Sequence, residues 1–98
     1  MYLKVHKTPL GEIVALCDAE LIGLVLSEGK MRLDLKANAS FYSGRKVGQS
    51  EAVAALKGAQ NANLVGKKSV ASAKKAGMNV GKPLMISGVP HLQIYGMG

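Results

Sequence analysis

No aspartate or glutamate occurs after Glu51. Residues 1–51 hold seven Lys/Arg against six Asp/Glu, whereas residues 52–98 hold six lysines and no acid, so the net charge of +7 lies mostly in the second half. Such one-sided charge favours an anionic partner: nucleic acid first, an acidic protein second, a phosphorylated small molecule third. Cysteine is nearly absent as well. The lone Cys17 cannot close an internal disulfide, which excludes an oxidised secreted scaffold and leads us to expect a cytoplasmic protein. Tryptophan is missing and the aromatics are Tyr2, Phe41, Tyr42 and Tyr95 alone, so the interleaved rings of an RNA-recognition sheet are excluded. No apolar run approaches the roughly 18 residues that cross a bilayer, and "MYLKVHKTPLGEIV" lacks a signal peptide's apolar centre; no membrane partner is expected.

What is present is a chain of 98 residues, 48% apolar, which suits one domain spanning residues 1–98 with one modest core. In "YLKVH" and "EIVALC" apolar residues alternate around "KTPLG", predicting a β-hairpin in which Lys7 opposes Glu12, Val5 opposes Val14, Leu3 opposes Leu16 and Tyr2 opposes Cys17. Leu3, Val5, Val14 and Leu16 then share a buried face. "DAELIG" reads as a tight turn or a short helical turn, "LVLS" and "MRLDLKA" as strands, and "FYSGRKVGQ" as a loop or hairpin tip. Ser50 is positioned to cap a helix over about residues 51–60, and a second helix is expected over about 66–76, stopped by Gly77. "PLMIS" and "HLQIY", separated by "GVP", give two closing strands. The expected fold class is α+β: a mixed or mostly antiparallel sheet with two helices packed on one face.

The blocks "YLKVHKTPLGEIVALCDAELIG", "FYSG", "ANLVGKKSV" and "GVPHLQIY" resemble, in this order and over nearly the whole chain, the small archaeal family called domain of unknown function 424. The resemblance implies a compact intracellular protein from a lineage discussed near translation and information processing. It draws attention to His6, Thr8 and Pro9; to Cys17, Asp18 and Glu20; to Phe41, Tyr42 and Gly44; and to Asn63–Gly66 and Gly88–His91 with Gln93. The resemblance implies less basic relatives, whereas this chain has few acids around its helices.

"NANLVGKKSV" raises the sharpest chemical question. Gly66 opens the second helix, whose first-turn amides lack partners and whose dipole presents roughly half a positive charge. Lys67 and Lys68 add to that positive end, a costly placement unless a phosphate or carboxylate sits there, so an anion pocket is expected at Gly66 with Asn63 beside it or as a cap. Exchanging both lysines for Gln should then preserve or raise stability. A phosphate-binding Walker loop is excluded, because Asn61 stands where its first glycine belongs and Lys68 where its Ser or Thr belongs. Helical spacing places Lys67 with Lys74, and Lys68 with Lys75, in two adjacent outward rows, to which Arg45 and Lys46 add charge.

His6, Cys17, Asp18 and His91 are the candidates for a metal site or nucleophile. The hairpin register puts His6 opposite Ile13, about 13 Å along the strand from Cys17, so the two cannot share an ion; no metal or cofactor is expected. His91 and Gln93 read first as parts of a turn and strand, and second as donors in a ligand cleft with His6, Cys17 or Asp18. Asp18 and Glu20 read first as turn and capping residues. The function that best fits is non-enzymatic binding of RNA or a ribonucleoprotein through Lys67, Lys68, Lys74 and Lys75. The alternative is a small-molecule enzyme or sensor holding an anionic ligand near Asn63–Gly66, His91 and Gln93. A third reading is an assembly protein whose basic face meets an acidic partner.

Overall fold

The computed structural model describes residues 1–9 and 11–96; Leu10, within the expected first turn, falls outside them. Strands β1 (Tyr2–Thr8) and β2 (Gly11–Cys17) pair antiparallel in the register that their alternation predicts, from Lys7 opposite Glu12 to Tyr2 opposite Cys17. Leu3, Val14 and Leu16 are buried as expected, but Val5 is 45% exposed. Its neighbour on the outer side, β5 (Arg45–Lys46), borders β1 only at Tyr2 and Leu3, which leaves Val5 on the rim.

A six-stranded sheet grows from this hairpin in the order β5-β1-β2-β6-β8-β7, with β6 (Asn61–Val65), β7 (Leu84–Ile86) and β8 (Val89–Ile94). Every pairing is antiparallel except β2 with β6. A parallel pair needs a crossover, and residues 18–60 supply it. They form a separate two-stranded ribbon, β3 (Val25–Glu28) with β4 (Met31–Asp34), then helix α1 (Ala39–Tyr42), strand β5 and helix α2 (Gln49–Leu56).

The two sheet faces are covered differently. On one, α2 and α3 (Lys67–Lys75) enclose Leu3, Val14, Leu16 and Leu64. On the other, the β3–β4 ribbon and α1 cover Ala15, Cys17, Val65 and Ile86. Covering both faces explains why "VALC" is continuously apolar: successive side chains of β2 enter opposite cores, and all four are buried. The fold is α+β with a mixed sheet and two helices on one face.

Several local expectations need correction. "NANLV" is not a helix mouth but the strand at the centre of the sheet. Asparagine disfavours strands, yet here tertiary hydrogen bonds satisfy it: Asn61 Nδ2 donates to Glu12 O at 3.3 Å, and Asn63 Oδ1 accepts from Tyr42. "FYSGRKVGQ" is not a loop but contributes to α1, β5 and α2. The helices span 49–56 and 67–75, and Ser50 lies inside the first of them, behind an N-cap at Gly48. The closing hairpin turns at Ser87–Gly88, not across "GVP": both have positive φ, 49° and 77°, and Ile86 pairs directly with Val89.

Because Leu64 is fully buried against both helices and Val5 is half exposed, Leu64→Ala should cost about 2–5 kcal/mol and Val5→Ala less than about 1 kcal/mol in urea denaturation. Equal losses would contradict the assigned faces.

Candidate functional site

The negative group awaited by "GKKS" is supplied by the chain itself. Asp18, at the end of β2, is buried, and its carboxylate accepts from Lys68 N (3.1 Å), Ser69 N (2.8 Å) and Ser69 Oγ (2.7 Å). Its own amide donates to Val65 O at 2.9 Å, so backbone and side chain together fasten β2 to the start of α3. Gly66 is required by this approach: at φ 107° and ψ 157° it occupies a region nearly exclusive to glycine, and a β-carbon there would overlap the Asp18 carboxyl carbon. The expected anion pocket is corrected in its donors: a cavity of about 280 Å³ is lined by Gly66, Lys67 and Lys68, but the amides of Lys68 and Ser69 serve an internal carboxylate, and Asn63 lies within β6 and caps nothing.

With those amides satisfied, the lysines around them face outward. Lys67, Lys68, Lys74 and Lys75 are all exposed, while Ser69, Ser72 and Ala73 turn inward, which gives the two expected rows. Lys68 meets Glu20 at 3.9 Å through side chains 69% and 60% exposed, a weak pair. Lys75 shares a groove between α2 and α3 with Lys57, a residue that sequence spacing missed because the two helices are joined through β6. Arg45 and Lys46 lie on edge strand β5, where Arg45 is engaged by Glu51 of α2 at 3.5 Å.

The opposite sheet face carries a cleft of about 290 Å³ lined by Asp34, Asn38, Phe41, Asn63, His91 and Gln93, among others. Register explains the grouping: Asn63 pairs with Gln93, and Val65 with His91, so Asn63, His91 and Gln93 project from one face of adjacent strands. Asn63 Oδ1 accepts from Tyr42 OH at 2.8 Å and from His91 Nε2 at 3.2 Å. His6 reaches the same region indirectly: it stacks on Phe41 with centroids 4.2 Å apart, and its Nε2 donates to Phe41 O at 2.8 Å. Burial lowers the pKa of His91, which keeps its ring neutral at pH 7. The Ala37 amide above all, helped by the Lys36 amide and Arg32, holds the Asp34 carboxyl below its usual range, so it stays charged at the cleft wall.

Of the residues expected in a cleft, the structure gathers His91, Gln93 and Asn63, places His6 behind Phe41, and removes Asp18 to the helix cap. Cys17 is fully buried and separated from His91 by β6; desolvation first, then Asp18 and Glu20, push its thiol up to about 12. A protonated, inaccessible thiol is no nucleophile. Among the described residues, no group of three His, Cys, Asp or Glu could hold a metal ion, and no helix is long and apolar enough to cross a membrane.

The architecture is that of a small α+β domain with a basic helical face on one side of a mixed sheet and a polar cleft on the other. The chain belongs to the family described as protein of unknown function (DUF424), whose profile matches residues 5–97. Its fold is similar to the crystal structure of an uncharacterized conserved protein from Methanopyrus kandleri, with a TM-score of 0.83 and 25% identity over 99% of this chain and 93% of that one. No match is found among curated proteins.

Three outcomes follow from the cap and the thiol. Asp18→Ala should lower stability by about 1–3 kcal/mol in denaturant titration, since it strips a buried cap from two amides and a hydroxyl. Lys68→Gln, which loosens only the exposed contact to Glu20, should change it by less than about 0.5 kcal/mol. As pH rises from 9.0 towards about 12, the unfolded chain releases the Cys17 proton while the folded chain keeps it, so stability should fall through that window. Cys17→Ala should flatten the fall in thermal denaturation measured across alkaline pH; an unchanged slope would exclude the thiol as a cause.

Proposed function

We propose that the protein binds RNA, or a ribonucleoprotein, through the outer face of α3, without catalysing a reaction. The observation that carries this is the disposition of charge on that helix: four exposed lysines in two rows, of which only Lys68 meets a carboxylate among the described residues. Lys74 and Lys75 also sit in the last helical turn, where the dipole favours cations and fixes them at little cost. Lys57 extends the same charge across the groove to α2. A face of this kind contacts phosphates, and the scarcity of aromatics there predicts affinity led by shape and charge, with little base preference.

Fluorescence anisotropy with structured and single-stranded RNA between about 50 and 200 mM salt tests the proposal. Affinity should be micromolar or better at the lower salt and fall linearly on a log–log plot. Each of Lys67→Gln, Lys74→Gln and Lys75→Gln should reduce the slope by roughly 0.7–0.9, the share of one phosphate contact. A slope untouched by all three variants would overturn the proposal, and preferential capture of polyglutamate would point instead to an acidic protein partner.

A further inference from the structure

We propose that the cleft on the opposite sheet face is a binding site for a single unstacked nucleobase, held against Phe41 and read by the side chains of Asn63, His91 and Gln93. The size fits first. At about 290 Å³ the cleft lies at the lower limit of small-molecule sites, roughly 300–1,000 Å³, which suits one planar heterocycle better than an extended metabolite. The platform fits next: Phe41 is half-buried, braced on one side by the stacked His6 ring and at its edge by Tyr42, 5.0 Å away and nearly perpendicular. A ring fixed in this way loses little freedom when a base stacks against it.

The hydrogen-bonding edge is the decisive part. Asn63 Oδ1 is doubly occupied, accepting from Tyr42 OH and from His91 Nε2, and this fixes the amide's orientation. Asn63 Nδ2 is thereby left as a donor with no protein partner among the described residues; since no buried side-chain nitrogen or oxygen among them is unsatisfied, it is not fully buried, and Asn63 lines the cleft. The neutral His91 ring, having spent its one proton on Asn63, presents Nδ1 as an acceptor. Gln93, directly across from Asn63, accepts from Tyr95 OH at 3.1 Å through Oε1, and its Nε2 donor has no protein partner among the described residues. A fixed donor from Asn63, an acceptor from His91 and the exposed Gln93 donor beside an aromatic platform match the mixed edge of a nucleobase. The charged Asp34 carboxylate in the wall and the neutral imidazole disfavour a phosphate inside the cleft, so the base enters and its phosphate stays in solvent.

This site does not rest on the lysine face, which lies across the sheet from it. The test is a titration of the isotope-labelled protein, followed by backbone and side-chain amide resonances, with adenosine, guanosine, cytidine and uridine and, separately, with a short single-stranded RNA. The side-chain amides of Asn63 and Gln93 should shift saturably, with some nucleosides preferred over others. Phe41→Leu, which keeps an apolar side chain in the core, and Gln93→Ala, at an exposed position, should each weaken binding roughly tenfold while leaving the rest of the spectrum in place. Lys67→Gln should leave the nucleoside response unchanged. Shifts with nucleosides make the free base sufficient; shifts with RNA alone, lost in both variants, identify a base presented by a strand. If neither ligand moves these resonances, or if both variants bind like the parent, the site does not exist.

Discussion

The carboxylate of Asp18 holds together elements that are distant in the chain. Its three bonds to α3 span sequence separations of 50 and 51 residues, and its amide continues the ladder between the ends of β2 and β6. Next to it, Gly66 N donates to Pro90 O at 2.9 Å, bringing β8 to the same point. A helix N-terminus carrying two lysines is electrostatically poor without a counter-charge, and a buried carboxylate without donors would be poor as well. Each resolves the other. The lysine face can therefore exist on a stable helix, because the positive end of α3 is neutralised from below and its side chains are left for solvent.

The central pair of strands divides the surface into two chemically separate regions. β6 sends Ala62 and Leu64 towards the helices and Asn63 towards the cleft, so one strand supports the seat of α3 on one side and the polar network of Asn63 on the other. Charge divides accordingly: the helical face is cationic, whereas the cleft is lined by amides, a neutral imidazole and the Asp34 carboxylate. Phosphate recognition and base recognition make those same opposite demands.

The legibility of the fold in the sequence followed the range of its interactions. The register of β1 with β2 was readable because pairing, turn and alternation all lie within seventeen residues, and the outward lysine rows because they depend only on helical spacing. β6 was unreadable from propensity, since Asn61 and Asn63 are stabilised by partners contributed from Glu12, Tyr42 and His91. The occupant of the α3 amides was missed for a related reason: Asp18 looked like a local turn residue. A signal was available in the composition, because a helix opening with two lysines needs a carboxylate and the only acids in the chain precede it. The cleft was half legible. His91 and Gln93 were singled out at alternate positions, but Asp34, Asn38 and Phe41 reach it by way of a ribbon and a short helix folded over the sheet, which no local pattern displays.

The most direct measurement of whether α3 is the nucleic-acid face is lysine acetylation footprinting with and without bound RNA, read by mass spectrometry at each lysine. Protection should concentrate at Lys57, Lys67, Lys74 and Lys75, while Lys7 and Lys30, equally exposed but on the first hairpin and the ribbon, remain reactive. Protection spread evenly over all lysines, or centred on Lys7 and Lys30, would contradict the assignment of α3.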